Sequence, residues 1–515
     1  MVDFEHVFQK VNNRKHPPFQ YFVMIVISMT LVTNGAVPLL LTFLTSTKGW
    51  QCLSEKCDPE KGLCEQILND DDWYSPVSKA TDKFLKKFRV YCGYDGYFSA
   101  ISSGYFGGFM IGILIGGNLM DSFGRHKTIY IGLLFFCVTV LLHASGTDFN
   151  SFAFAHLLSG LGTGIVGALY VYQTELTIAS LRNFGSQVHN LAYSFGMLYG
   201  ALLCYYIEDF TMICICITIP ALIFNLIMWK YIPESLFWLH QQNKKKELNE
   251  ALEYIAKFNN IKYLAEDERI ETIDEEKSQS VLTLFKYSKS TCQTTCIFLL
   301  SWFTASYSYW GLSFNVGELI GNLYINQAII FMIDLINRPI NYYGIKWMNR
   351  VSFIRLCNIG MAVSAVVCMV PYQEEIFPGF NLAKISALLG RMISDLYFSA
   401  IYLHTSEVLP TVVRGAGLSI CSSVARIGSI LAPFVLLANR VSPNINFSVI
   451  FISSITCYLL YSWVPETRGQ LLPGNLIEME DLIKGKKQLK DKMSDHLDKE
   501  SLLCSHSDIE ANNSL

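Results

Sequence analysis

Tyr170 to Gly185 reads YVYQTELTIASLRNFG, and Tyr402 to Gly417 reads YLHTSEVLPTVVRGAG, with tyrosine, glutamate, arginine and glycine at matching positions 232 residues apart. IPES at Ile232 to Ser235 and VPET at Val464 to Thr467 keep the same spacing of 232. The register therefore holds well beyond one motif, and two half-chains of similar plan are fused. In an apolar chain, parallel halves meeting around a central axis are a transporter architecture, with the substrate held between them near mid-membrane.

Composition places those halves in a bilayer. The 515 residues are 51% hydrophobic and 16% charged, whereas a soluble chain carries about 25% charged residues. Apolar runs near the roughly 20 residues that cross the hydrocarbon lie at 20–44, 97–120, 128–146, 150–173, 187–207 and 210–231, then at 293–314, 322–345, 354–371, 380–404, 415–438 and 446–464. The expected fold is an all-α membrane protein of twelve helices in two six-helix repeats. Its parts are an N-terminal segment 1–19, a first half 20–231 with a loop at 45–96, an insert 232–292, a second half 293–464 and a mostly disordered tail 465–515.

Lysine and arginine fall on alternate sides: Lys10, Arg14 and Lys15 before span 1, Arg125 and Lys127 after span 2, Arg182 after span 4, Lys346 and Arg350 after span 8, and Arg414 after span 10. The positive-inside rule then makes both termini cytoplasmic. The run at 20–44 is too long for a cleavable signal and lacks a small-residue cleavage site. Loop 45–96 falls on the oxidising side and holds Cys52, Cys57, Cys64 and Cys92, enough for two disulfides in one of three connectivities. A zinc site is the rival reading, weakened because that loop has no histidine. Lys244 to Phe258 has helical periodicity and is expected to lie against the cytoplasmic mouth. In the tail, DKESLL at Asp498 to Leu503 has the spacing of an endocytic sorting signal, which adds an endosomal pool to a plasma-membrane location.

From GNLMDSFGRHK at Gly117 to Lys127, the chain resembles the major facilitator superfamily. The cysteine-bearing loop ending YCGYDG, PESLFWL at Pro233 to Leu239, SWFTASYSYWGLSFNVG at Ser301 to Gly317, the stretch Ser406 to Pro433 and PETRGQLLP sharpen this. Together they resemble the organic cation, carnitine and organic anion transporters, nearest in motif to the anion transporters. The resemblance implies that Asp121, Arg125, Glu175, Arg182, Glu407 and Arg414 form gating clusters that brace the two halves. Two departures are Ser122, where the family has arginine, and His156, where its fourth span has arginine; they imply a looser or pH-sensitive gate, with a buried, hydrogen-bonded His156 as the plainer reading.

Ionisable residues inside spans are functional hypotheses by default. Those read from the second half are Asp334 and Arg338 in span 8, Asp395 in span 10 and Arg426 in span 11. The resemblance makes Arg338 and Arg426 anion-type positions, and a guanidinium can hold a carboxylate or sulfate in two parallel bonds. Against this, Asp334 and Arg338 at i, i+4 can neutralise each other, and Asp395 can pair with Arg426. Tyr309 and Trp310 are expected to line the site by resemblance, with Asn34 and Tyr193 as further candidates. The expectation is a secondary transporter of small organic ions, chiefly anions, by uniport or exchange against a dicarboxylate. A cation or carnitine-like zwitterion carrier is the alternative, and a non-transporting receptor a more distant one. No enzyme, cofactor, metal or nucleic-acid partner is implied, and no GxxxxGK[ST] loop is present for ATP.

Overall fold

Long apolar runs interrupted by Gly, Pro and charged turns leave the backbone one way to satisfy its N–H and C=O groups in lipid, the α-helix. The computed structural model describes residues 4–12, 17–45, 51–52, 73–74, 79–88, 90, 94–167, 169–262, 282–316, 323–370, 375–377, 380–434, 442, 444–470 and 473–485. Span 1 is Pro18–Gly35 continued by Leu40–Thr45, span 2 Asp95–Phe123, span 3 Arg125–Ser145, span 4 Phe149–Val166 continued by Leu169–Glu175, span 5 Ala179–Tyr206 and span 6 Phe210–Tyr231. The second half repeats the plan with span 7 Lys289–Val316, span 8 Leu323–Trp347, span 9 Arg350–Met369, span 10 Leu382–Val408, span 11 Thr411–Leu431 and span 12 Asn444–Leu460. The twelve expected runs each fall on one of these.

Eight of them are long and apolar enough to cross a membrane by length and composition. Spans 5, 7, 8 and 10 are 28, 28, 25 and 27 residues long but more polar. These four carry most of the candidate site residues, so polarity inside the spans and the expected site coincide.

The bundle has a termini-bearing end and an opposite, loop-bearing end. At the loop-bearing end one hydrophobic cluster joins both halves, with Phe43, Phe106, Trp310, Phe314 and Tyr324 among its members. Trp310 meets Phe106 across the halves at 4.7 Å, and Tyr324 meets Phe43 at 5.8 Å and Tyr205 at 5.3 Å. At the termini-bearing end there are two separate clusters, one of first-half and insert residues and one of second-half residues joined by Leu284 of the insert and Leu476 and Met479 of the tail. The halves are sealed at the loop-bearing end and packed independently at the other.

Helix Lys245–Phe258 lies where the periodicity placed it, but it docks on the first half. Its Leu248, Leu252 and Ile255 join Val7, Phe8, Val11 and Phe19, and Asn259 accepts from the Phe19 N–H at 3.0 Å. The described part of the tail holds one helix. Leu476–Ile483 forms a helix capped by Asn475, and buries Leu476 and Met479 in the second half's cluster. An amphipathic LIEMEDLI behind an Asn-x-x-Glu cap satisfies its own first turn, which the polar composition of the tail as a whole had obscured. Asp498 to Leu503, Cys57, Cys64 and Cys92 lie outside the described residues, and Cys52 is described only as part of the short strand Gln51–Cys52.

Candidate functional site

Spans 8 and 10 run in the same direction, so residues four apart on each step down the interface together. Span 8 presents Asp334 and then Arg338; span 10 presents Arg391 and then Asp395. The order of charge is reversed between the helices, and two crossed ion pairs result. Arg391 lies 3.3 Å from Asp334, with both side chains wholly buried. One turn nearer the termini, Arg338 binds Asp395, and their side chains keep 9% and 15% exposure. Asn337 adds a 3.1 Å bond to the Asp395 carboxylate, and Asn341 donates to Ser399 one turn further on.

The upper pair has further partners on spans 7 and 5. The Arg391 Nε donates to Ser313 at 2.8 Å, and its guanidinium lies 3.7 Å from the centre of the Tyr309 ring. Ser194 of span 5 donates to Asp334 at 2.7 Å, a bond between the halves. Taking two charges out of water costs several kcal/mol per ion; these bonds offset part of it, while Arg391 Nη1 and Asp334 Oδ1 face each other at 3.3 Å in an ion pair without a hydrogen bond. Arg391 was missed in the sequence, although its spacing of four from Asp395 mirrors that of Asp334 and Arg338. The expected pairing of Asp334 with Arg338 is not made: Arg338 gives its Nε to the Asp334 backbone carbonyl at 3.1 Å and its charge to Asp395.

That leaves Arg426. Span 11 points it at the first half, where its guanidinium sits 3.9 Å from the Phe109 ring centre with Tyr105 and Tyr193 in its field. Its Nε is buried without a hydrogen-bond partner, and among the described residues no carboxylate pairs with it. The expected alternative, Asp395 with Arg426, is corrected by geometry, because Asp395 is taken by span 8. Two acids and three guanidiniums leave one uncompensated positive charge.

The remaining candidates divide. Tyr309 and Tyr193 are partly exposed, beside Arg391 and Arg426 respectively. Trp310 is only 4% exposed and packs on Phe106, so it seals the halves and does not line an open wall. Asn34 is buried and donates to the Thr30 carbonyl of its own helix at 3.0 Å. His156 is buried far from the gating residues, its Nδ1 3.2 Å from the Nε2 of His143. The expected role for it at a looser gate therefore has no geometric support.

At the termini-bearing end each half builds its own cluster. Arg125 meets Glu175 at 3.2 Å and Asp121 at 3.1 Å, and Ser235 donates to Glu175. Glu234 accepts from the His126 N–H at 2.9 Å, where span 3 begins and its dipole favours an anion. Burial pushes the Glu234 carboxyl up, while those backbone N–H groups hold it down. The second half repeats this with other residues. Arg350 meets Glu407 at 3.2 Å, Thr467 donates to Glu407, and Glu466 accepts from the N–H groups of Arg350 at 2.9 Å and Val351 at 3.0 Å. Arg182 and Arg414, expected in these clusters beside the glutamates, instead give their Nε to the carbonyls of Thr177 and Leu409, closing their own turns. The expected bracing between halves is also not what these pairs do, since each lies within one half.

One contact does cross the axis here. Tyr170 and Tyr402, equivalent residues of the repeat, meet edge to face at 5.4 Å. Equivalent residues can touch each other only next to the pseudo-two-fold axis. They therefore stand on the central path, two helical turns below Asp395.

A twelve-helix bundle of two repeats, with charge held between them and duplicated ion clusters at one end, has its counterpart among known proteins. Residues 62–474 match the sugar (and other) transporter family. The chain belongs to that family. Solute carrier family 22 member 15-like of Xenopus laevis is 28% identical over 385 residues, 74% of this chain and 78% of the relative. Organic cation/carnitine transporter 2 of Rattus norvegicus is 24% identical over 531 residues, 92% and 93% of the two chains. The inward open conformation of the xylose transporter XylE from E. coli superposes with a TM-score of 0.58 at 16% identity, covering 90% of this chain and 99% of that one. These relatives bear out the resemblance to organic cation, carnitine and organic anion transporters, and the structure bears out the all-α facilitator fold.

Proposed function

We propose that the protein is a plasma-membrane carrier of small organic anions, with both termini cytoplasmic, that works by rocking its halves about the site between spans 5, 8, 10 and 11. The observation that carries this reading is Arg426, a partly buried guanidinium whose Nε is buried without a partner and which has no carboxylate beside it among the described residues, while the other four charges are paired. An anion on Arg426 relieves that imbalance, and the partly exposed Tyr193 beside it suits an aryl group. The seal at the loop-bearing end and the independent clusters at the other support a state facing the cytoplasm. The clusters around Glu175 and Glu407 then stiffen the moving ends, and Tyr170 with Tyr402 narrows the way out. Flux follows the substrate gradient or exchange against an intracellular dicarboxylate.

The test is uptake of a labelled aryl sulfonate by cells expressing wild type or Arg426→Ala, with surface expression matched. A charge-assisted bond contributes about 1.5–3 kcal/mol, so the variant should lose about tenfold or more in uptake. Uptake of a quaternary ammonium in place of the sulfonate overturns the reading. A carnitine-like zwitterion is the second reading, favoured by the partly exposed Arg338 and Asp395, which together offer one site for each end of such a molecule. The rat relative is named for organic cations and carnitine.

A further inference from the structure

Arg426 is not the only guanidinium inside the spans without a carboxylate beside it. Arg355 stands near the start of span 9, and its guanidinium lies 4.4 Å from the centre of the Tyr458 ring on span 12. Its Nε is buried without a hydrogen-bond partner, the residue as a whole stays partly exposed, and among the described residues no carboxylate pairs with it. A charge in a span is costly and asks for a partner. Span 9 packs on spans 10 and 12 of its own half, with Phe353, Ile354 and Cys357 in that half's core. Around Arg355 and Tyr458 the other face carries Leu356, Ile359 and Leu459, all large, apolar and exposed. In a bilayer that face meets lipid tails, which are as apolar as leucine, and not the path between the halves. Trp463, also exposed, stands further along span 12 toward the termini-bearing end, about 8 Å from Tyr458 at 1.5 Å per residue. A tryptophan there marks the headgroup level, so Arg355 lies just inside it.

The repeat shows that the fold does not need a charge at this place. Arg125 and Arg350 begin spans 3 and 9, and the next residues, His126 and Val351, give their N–H groups to Glu234 and Glu466 in the same way. In that register the equivalent of Arg355 is Tyr130, which packs on Trp229 of span 6 with ring centres 4.3 Å apart. The first half fills the groove between its third and sixth spans with two aromatic rings. The second half lays a cation on one ring and leaves that cation without an anion.

We propose that Arg355 and Tyr458 form a binding site for an acidic phospholipid of the leaflet at the termini-bearing end, with the phosphate on the guanidinium and the acyl chains along Leu356, Ile359 and Leu459. A guanidinium offers phosphate two parallel N–H bonds, and the ring beneath holds it in place. A free anion gains the same bonds but nothing from the apolar face. A zwitterionic lipid brings its own cation, so the net negative charge of an acidic headgroup is what matches the unpaired arginine. Lys346 and Arg468, exposed at the same end, add to the positive field that draws such a headgroup. Both spans belong to the second half, so a bound lipid stabilises that half by mass action.

The experiment takes the full chain purified in detergent and adds phosphatidylglycerol, phosphatidylcholine of the same acyl chains, or inorganic phosphate. Thermal unfolding and the number of lipids retained in native mass spectra are the readouts. For wild type, phosphatidylglycerol should raise the melting temperature more than phosphatidylcholine does, and inorganic phosphate should leave it unchanged. Arg355→Tyr, which carries the first half's residue, should melt no lower than wild type without lipid and retain one phosphatidylglycerol fewer. Arg355→Gln should need about tenfold or more phosphatidylglycerol for the same shift, through loss of the charge-assisted bonds, and it carries the test if Arg355→Tyr does not fold. Equal retention and equal shifts in wild type and variants overturn the proposal. So does a wild-type shift that phosphatidylcholine matches, whatever the variants do. The full shift from inorganic phosphate overturns the lipid assignment and gives the guanidinium to a free anion.

Discussion

The interface between spans 2 and 4 and that between spans 8 and 10 occupy the same place in the two repeats and are built by different means. In the first half, spans 2 and 4 approach so closely that a Cβ on Gly160 would lie 2.0 Å from the Tyr105 carbonyl oxygen, and one on Gly164 2.2 Å from that of Phe109. In the second half the equivalent positions are Met392 and Leu396, and the helices are joined by two ion pairs. Arg391 and Asp395 correspond to Ser159 and Thr163, whose hydroxyls bond the carbonyls of His156 and Ser159 on their own helix at 2.8 and 2.9 Å. Even the Asn337 to Asp395 bond has its neutral counterpart in Tyr105 to Thr163, at 3.1 Å. One half is held by backbone proximity and the other by charge. A gene-fused pair thus keeps one scaffold side neutral and places most of its ionic chemistry on the other.

The comparison can be broken most directly at its strongest point. Arg391→Leu leaves Asp334 unpaired in a dry site and should destabilise by about 3–5 kcal/mol, whereas Arg391→Leu with Asp334→Leu should recover most of that. Thermal unfolding in detergent checks both, and Ser159→Ala, the first-half equivalent, should lose no more than about 1 kcal/mol. Equal losses at Arg391 and Ser159 would remove the distinction. Next in size, Gly160→Ala should cost about 1–3 kcal/mol through overpacking, read in the same melts, because the neighbouring atom is backbone and cannot swing aside. The smallest effect sharpens the likeness that remains. Glu175→Gln and Glu407→Gln should each lower stability by about 1–2 kcal/mol and by the same amount within error, since each carboxylate holds one arginine and one hydroxyl in matching geometry.

Much of the architecture was legible from spacing. The repeat of 232 located both glutamates of the terminal clusters, and hydropathy located twelve spans. Their partners were not legible, for a specific reason. Arg125 and Arg350 are 225 residues apart, outside the register of 232, so the fixed offset pointed to Arg182 and Arg414 instead. Those two arginines repeat faithfully because both cap a turn carbonyl. Tyr309 and Trp310 were expected together in the site; Tyr309 lies over the Arg391 guanidinium, while Trp310, its neighbour in sequence, turns about 100° around the helix and is buried against the other half. A stripe of aromatics carries no label saying which face meets water.

Sequence alone determined the two-fold repeat, the helical class, the twelve spans and the family resemblance, because each depends on periods and motifs along one chain. The pairing of charge was decided only in three dimensions. Asp334 can reach an arginine four residues along its own helix or one across the interface, and spacing permits both. Packing of span 8 against span 10 brings Arg391 and Asp395 into reach in crossed order, and that geometry is what leaves Arg426 as the one uncompensated charge among the five.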